Sequence, residues 1–573
     1  MMYPLEKAKN EIIAALHKTL PTVKEELRLE IPPEQMGDFA FPCFNLASLL
    51  KKAPAIIAQE IARQIPPSTW IYKVEAKGAY VNFFVNHTTV AKETLHAVLE
   101  KKETYGHLAK KNKKVIIEHT SANPNGPLHV GRARNPIIGD TLVRIFKAAG
   151  YTVESQFYLD DMGKQVAILA WGVQNIDEKK IQKPDRTKAD HQKVGYYQAA
   201  HEMMEQDDQV ATAIGDMVKH SEHGDHETIT LIHQAYTPVL EGIKQSLARI
   251  HITLDTYIPE STFVYDKSVE KVVHSLKKTE YCREEEGAYF LDLESFGIQG
   301  RNTKFFFLRN DGTTLYATRD IAYHQWKAQQ ADLLVNVLGE DHKLESKQVE
   351  IALQLLKTKT IPQVVFYAFV SLPGGKMSTR RGRVVYLDDL MDECIERAYE
   401  EVKKRRGDEL TETQMKAIAE IVGIGSLRYN IIKVQPEKDI VFKWEEALNF
   451  EGNAVPFIQY AHARTCGILS KTKEKFHAAD PSVLTHPSEQ ILIKQLARFP
   501  LVIHEACHGC RPHLIAGYVF ETASNFNMFY RDCPVLPEQD IALRHARLML
   551  VDATRIVLHN ALELLGITAP QEM

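Results

Sequence analysis

Residues 113–150 read KKVIIEHTSANPNGPLHVGRARNPIIGDTLVRIFKAAG. Val115, Ile116 and Ile117 form a short continuous apolar run, the mark of a strand buried on both faces. A turn-rich loop follows: Ser121, Ala122, Asn123, Pro124, Asn125, Gly126 and Pro127. After His129-Val130-Gly131-Arg132, a helical pattern brings Ile137, Ile138, Thr141, Leu142, Ile145 and Phe146 to one side, and Gly150 closes it. Strand, loop and helix in this order make the first half of a βαβ unit. In such units the loop and the helix N-terminus bind phosphate. Pro136 falls where that helix starts, so the helix is expected to begin late or with a distorted first turn.

Outward from this unit, the α/β rhythm continues and then breaks. Thr152 to Leu159 reads as a second strand, followed by another helix. Residues 172–225 are rich in Lys, Asp, Glu, Gln and His and poor in large apolar residues, as in an exposed helical insertion. Short strands are expected near Tyr289 to Leu293 and Thr303 to Leu308. Strands return at Leu333 to Leu338 and Val364 to Val370, with a helix between them. The second strand feeds a loop with four cations, Lys376, Arg380, Arg381 and Arg383. Two βα units thus bracket a long insertion, as in a split doubly wound sheet with its ligand crevice at the carboxyl ends of the strands.

Both flanks differ from this core. Residues 1 to about 105 read as a small α/β module, with a strand pair near Tyr72 to Val85 and with Gly37-Asp38-Phe39-Ala40-Phe41-Pro42 as an interruption. From about Gly407 onward only helical patterns occur, so the C-terminal third reads as a helical bundle.

The composition is that of an ordinary globular chain. It has 573 residues, 44% apolar and 25% charged, which suggests about four domains. The net charge of −4 neither requires nor excludes nucleic acid, because only local patches matter to a phosphate backbone. The first residues carry no secretory pattern, and no run of 18 apolar residues exists. Seven scattered cysteines suit a reducing cytoplasm better than a disulfide framework. Cys507-x-x-Cys510 lies among histidines, but without a second pair it reads as a polar helix end, and no metal site is expected.

His129 and Gly131 sit where a phosphate would lie: Gly131 permits close backbone approach and His129 donates a hydrogen bond. The cationic loop follows a buried strand of the second half-sheet, where mobile cations stabilise charge at a transferring phosphorus. No G-x-x-x-x-G-K-[ST] sequence is present, which disfavours a P-loop ATPase.

His129-Val130-Gly131-Arg132 resembles the HIGH signature of class I aminoacyl-tRNA synthetases, and Lys376-Met377-Ser378-Thr379-Arg380 resembles their KMSKS loop. Arg132 and Arg380 depart from the residues usual at their positions. DGTTLYATRDIAY, FIQYAHAR and the ending LGITAPQEM narrow the resemblance to arginyl-tRNA synthetases. It implies a multidomain α/β fold. An N-terminal tRNA-elbow module spans 1–108. A split Rossmann catalytic domain spans 109–390, with an insertion at about 172–300. A helical stem spans 391–440 and an all-α anticodon-binding bundle 441–573.

The resemblance also implies roles. His129, Gly131 and Lys376 would serve catalysis. Residues 122–132 (Ala122, Asn123, Pro124, Asn125, Gly126, Pro127, Leu128, His129, Val130, Gly131, Arg132) and 376–380 would bind ATP. Glu118, Asn123, Tyr316, Asp320 and Asp341 would hold L-arginine, with carboxylates matching the planar guanidinium. Tyr316 and Asp320, four apart, share a face if helical. Without the resemblance, the favoured readings are a helix N-terminal partner or surface ion pair for Glu118 and a helix cap for Asp320. Phe39, Phe41, Phe457, Gln459, Tyr460 and Met573 would contact tRNA. The reaction implied is arginine–tRNA ligation by a cytoplasmic monomer, with ATP as substrate alongside Mg2+, tRNA(Arg) as partner, and no membrane. The rivals are a class I synthetase for another amino acid, a non-catalytic tRNA-binding relic and a generic nucleotidyltransferase.

Overall fold

In the computed structural model the described residues are 2–573 apart from 22, 24–26, 34–35, 183, 185, 372–384 and 450–451, with the side chains of 301–302 and 444–445 also left out. Five parallel strands form the central sheet. Their spatial order is Gln363–Tyr367, Leu333–Gly339, Lys114–Glu118, Thr152–Leu159, Thr256–Pro259. Strand order reverses at Lys114–Glu118, so a crevice opens between the carboxyl ends of this strand and Leu333–Gly339. The apolar run Val115 to Ile117 is buried on both faces, as its composition requires.

The helix expected after the turn-rich loop runs Arg134–Ala148. Pro136 is its third residue. First-turn N–H groups have no partner within the helix, so proline removes nothing there. A 3-10 turn, Val130–Arg132, bridges His129 to the helix. Arg134 is fully buried and donates to the carbonyls of Ala368 (2.8 Å), Lys438 (2.6 Å) and Gln435 (2.9 Å). It thereby ties the helix start to the segment that returns from the stem.

The charged stretch after residue 172 contains the helices Ala189–Gln206 and Asp208–Glu222. They bury a small core of Ala167, Ile168, Ala200, Val210 and Ile214. The expected short strands are Ala288–Asp292 and Lys304–Leu308, joined by Cys282–Glu285 into an antiparallel sheet.

The N-terminal module has three strands in the order Phe39–Pro42, Tyr80–Val85, Ile71–Lys77. The segment read as an interruption is a strand, with Phe39 opposite Phe83 and Phe41 opposite Val81. Phe39 and Phe41 are each 4% exposed. This corrects the base-contact role expected of them: both rings lie in the module's core, out of reach of a nucleotide.

The C-terminal third is helical except for Ile440–Val441, which pairs with Val370–Ser371. Two residues are too few for any periodicity to betray a strand. The bundle packs on the N-terminal module, where Tyr105 donates to the Leu496 carbonyl (3.1 Å) and Lys494 pairs with Asp38 (2.7 Å). Burial pushes the Cys507 and Cys510 thiols up to about 11 and about 12.

One charged hub joins the catalytic sheet to the bundle. Arg428, in helix Glu412–Ile432, is wholly buried. Its Nη2 meets Asp140 Oδ2 at 2.5 Å, and its Nε donates to the Leu565 carbonyl at 2.7 Å. Arg144 holds the same Asp140 oxygen at 2.9 Å. Gly566 has a positive φ of 65°, and a Cβ there would strike the Arg428 guanidinium.

Candidate active site

A cavity of about 420 Å³ opens where the strand order reverses. Seven carboxylates line it: Glu118, Asp160, Glu260, Asp320, Asp341, Glu345 and Glu350, the last paired with Lys347 at 3.1 Å. Most are answered locally. Lys327 pairs with Glu118 at 2.6 Å, Arg319 with Glu260 at 3.2 Å and His342 with Glu345 at 3.3 Å. Arg132 approaches Asp341 at 4.0 Å on the rim. Asp160 accepts the Gly163 N–H at 2.9 Å. Asp320 makes no side-chain hydrogen bond or ion pair with any described residue. Burial, with Glu118 and then Glu345 nearby, pushes its carboxyl up to about 8. Such a carboxyl is held neutral in the cavity and ionises when a cation arrives beside it.

Helix Tyr316–Gln330 positions this group. Tyr316 opens the helix, and Asp320 follows one turn later on the same side. The Tyr316 hydroxyl accepts the Lys164 N–H at 3.4 Å, which turns the ring toward the cavity. Deeper in, Lys327 is fully buried and also donates to Asn336 Oδ1 (3.1 Å). Asn336 Nδ2 donates to His324 Nε2 (2.7 Å), so His324 Nδ1 carries a hydrogen to the Asp320 carbonyl (2.7 Å). Lys327, His324 and Asn336 escaped sequence reasoning. Their signal was a polar stripe, Tyr316, Asp320, His324 and Lys327 at spacings of three and four, and an asparagine inside the apolar run LLVNVL.

The loop from residue 120 forms the opposite wall. Thr120 and Ser121 take positive φ values of 71° and 37°. Asn135 and Ser121 hold them there, since Thr120 N–H donates to Asn135 Oδ1 (2.6 Å) and Ser121 Oγ donates to Glu118 Oε1 (3.3 Å). Asn123 lines the cavity, and Asn125 reaches Gln165 at 2.6 Å. Leu128 and Val130 are buried and do not line the cavity. His129 Nδ1 accepts the Gly131 N–H at 3.0 Å, which leaves the ring hydrogen on Nε2. Burial and then Arg132 lower its pKa, so it donates from a neutral ring.

Residues 128–130 pair with 385–387: Val130 N–H donates to the Val385 carbonyl (3.0 Å) and Leu387 N–H to the Leu128 carbonyl (2.8 Å). The cationic stretch ends just before this pairing. Lys376, Met377, Ser378, Thr379 and Arg380 lie outside the described residues.

A second cavity, of about 520 Å³, brings together Phe457, Tyr460 and Met573 with Arg405, Arg406 and Arg464. The Arg464 guanidinium lies 4.7 Å over the Tyr460 ring. Gln459 does not join them. It is wholly buried, and its amide donates to the Thr568 carbonyl at 2.9 Å. The RNA contact expected of it is corrected: it holds the C-terminal tail, because it faces the bundle core.

Residues 94–444 match the family described as tRNA synthetases class I (R), catalytic domain. Residues 458–573 match the DALR anticodon binding domain, and 6–85 the arginyl tRNA synthetase N terminal domain. Fold and site thus define a class I tRNA synthetase. An arginine–tRNA ligase of Methanocella arvoryzae is 48% identical over 530 residues, 92% of each chain. That of Methanothermobacter thermautotrophicus is 41% identical across the whole of both chains. The Thermus thermophilus arginyl-tRNA synthetase structure superposes with a TM-score of 0.83 at 26% identity, covering 98% of this chain and all of that one. The chain belongs to the arginyl-tRNA synthetase family.

Proposed function

We propose that the protein is an arginine–tRNA ligase, activating L-arginine with ATP and transferring it to the 3′-terminal adenosine of tRNA(Arg). The observation that carries this reading is Asp320, whose side chain makes no hydrogen bond or ion pair with any described residue in a cavity whose other acids are answered. A guanidinium is the cation that fits. It is planar, permanently charged and able to take Asp320 in a bidentate grip. Glu118, neutralised by Lys327, keeps lone pairs for a further hydrogen bond, and Tyr316 packs the flat face of the group. Asn123 orients the substrate's amino and carboxylate ends.

ATP, carried as its magnesium complex, lies along His129 and the start of helix Arg134–Ala148. The arginine carboxylate attacks the α-phosphorus in line and pyrophosphate departs. A 2′ or 3′ hydroxyl of the terminal adenosine then attacks the acyl carbon and AMP departs. The chain's part is positioning and charge stabilisation: His129 Nε2 donates to a phosphate oxygen and Lys376 adds positive charge. The N-terminal module meets the tRNA elbow, and the cavity at Phe457, Tyr460 and Met573 takes unstacked anticodon bases. The enzyme acts as a monomer in this reading. Among the described residues no helix is long and apolar enough to cross a membrane.

ATP–pyrophosphate exchange and acylation of bulk tRNA, run with each amino acid in turn, test this. Arginine alone should be charged. Acylation with another amino acid but not with arginine would overturn it.

A pH dependence follows from Asp320. The free carboxyl, raised to about 8, is protonated at neutral pH, whereas the guanidinium complex needs the carboxylate. Arginine binding therefore releases a proton below pH 8. Its affinity rises with pH by up to about tenfold per unit, and levels off above 8. Calorimetry in buffers of different ionisation enthalpy reads the released proton. Affinity that stays flat between pH 6 and 8 contradicts the assignment.

A further inference from the structure

We propose that the beginning of the insertion, Lys188 to His191, together with Asp388, positions His129 for the activation step. The inference rests on His129 serving the ATP side and goes beyond it, because none of these residues touches the cavity just described.

Asp388 lies in the first turn of helix Leu387–Arg406 and is 2% exposed. Four groups from the insertion converge on its carboxylate. Lys188 Nζ lies at 2.6 Å, His191 Nε2 at 2.9 Å, Ser246 Oγ at 3.0 Å and Arg249 Nη1 at 3.8 Å. Lys188 also meets Asp190 at 3.1 Å. Asp190, His191 and Asp388 are spaced as metal ligands are, but the Lys188 ammonium already stands between the two carboxylates. A Cβ at Gly242 would collide with the Asp190 carboxyl, so glycine is needed for this approach. Just outside, Arg186 meets Asp389 (2.8 Å) and Asp392 (2.5 Å), and Arg249 meets Asp392 (2.7 Å).

This cluster has two physical links to the ATP side. The first runs through the backbone. Asp388 directly follows 385–387, the segment bonded to 128–130, and Tyr386 forms a bridge opposite His129 itself. The His191 ring stands edge-on to Tyr386, with centroids 5.1 Å apart. Fixing Asp388 therefore fixes the register in which His129 is held. The second link is packing. Helix Ala189–Gln206 leans on the turn-rich loop so closely that a Cβ on Gly126 would come within 2.7 Å of Val194 Cγ2. An insertion that reads as a solvated appendage is a wall behind both the loop and the histidine. Groups placed within a fraction of an ångström decide rates in chemistry done by positioning, so loosening the wall affects the activation rate before it affects arginine binding.

The test compares two variants at His191. His191→Gln keeps a donor for Asp388, whereas His191→Phe keeps the ring against Tyr386 and loses that donor. Asp388→Asn removes the charge at the centre, and His129→Ala serves as reference. ATP–pyrophosphate exchange is measured with tRNA present, alongside calorimetric arginine binding and thermal midpoints. The expected result is a fall in the exchange rate of at least tenfold for His191→Phe and Asp388→Asn. Arginine affinity should stay within twofold of wild type, and His191→Gln should recover most of the rate. An exchange rate unchanged in both variants overturns the proposal. So does a parallel loss of exchange, arginine binding and thermal midpoint, which would make the cluster an anchor of the fold only. If His129→Ala itself leaves exchange intact, the reading of the ATP side fails, a result distinct from unchanged His191 and Asp388 variants beside an inactive His129→Ala.

Discussion

Asp320→Asn lowers kcat/KM for arginine by about thirtyfold or more while leaving the KM for ATP close to wild type. Asparagine keeps the size of the side chain and one acceptor but cannot become an anion. The other acids of the cavity do not replace it. Lys327 holds Glu118, Arg319 holds Glu260, and Arg132 stands near Asp341. The guanidinium would then enter a half-buried site without a counter-charge. Truncating one partner of a buried, hydrogen-bonded charge pair costs about 2–5 kcal/mol, or roughly 30- to 5,000-fold. The variant also loses the pH dependence of arginine affinity between 6 and 8, since the titrating group is gone. Steady-state kinetics with each substrate varied in turn checks the split. Equal losses for arginine and ATP would make Asp320 a structural residue.

Asp140→Ala destabilises the folded chain by about 3–5 kcal/mol, the usual cost of stripping the partner from a buried charge. Arg428 is wholly buried, and Asp140 is the carboxylate that answers it. Its other ligands are neutral carbonyls, Leu565 among them. Asp140→Asn keeps an acceptor and should lose less than the alanine variant. Denaturant midpoints read the order wild type, Asn, Ala. An alanine variant as stable as wild type would mean that Arg428 finds another counter-charge. Because the hub joins the helix after His129 to the end of the bundle, both regions should unfold at lower denaturant together.

Several site residues were legible one at a time. His129 and Gly131 could be found because a turn-rich loop between an apolar run and an amphipathic helix has few physical readings. Tyr316 and Asp320 share a helix face by their spacing of four, but their role came only with the family resemblance. The partners were not legible. Nothing near Glu118 in the chain announces Lys327, which comes 209 residues later. The residues of a small module favour core for Phe39 and Phe41, and only the resemblance placed them on tRNA; they are core, in a third strand of the sheet formed with 71–77 and 80–85. Gln459 sits beside Tyr460 in the chain, but neighbours on a helix point about 100° apart, so one is buried and the other is exposed.

The sequence by itself determined the βα unit at 113–150, the second half-sheet after a charged insertion, the helical C-terminal third and the family to which these motifs belong. All of these rest on periodicity and short motifs, which are written within a few turns of chain. Only the tertiary structure decided which carboxylate in the cavity is left without a partner, which aromatic residues are core, and that the insertion stands behind His129. Those outcomes depend on distances between residues far apart in the chain. Burial then sets the strength of each charge, and burial is a property of the assembled fold alone.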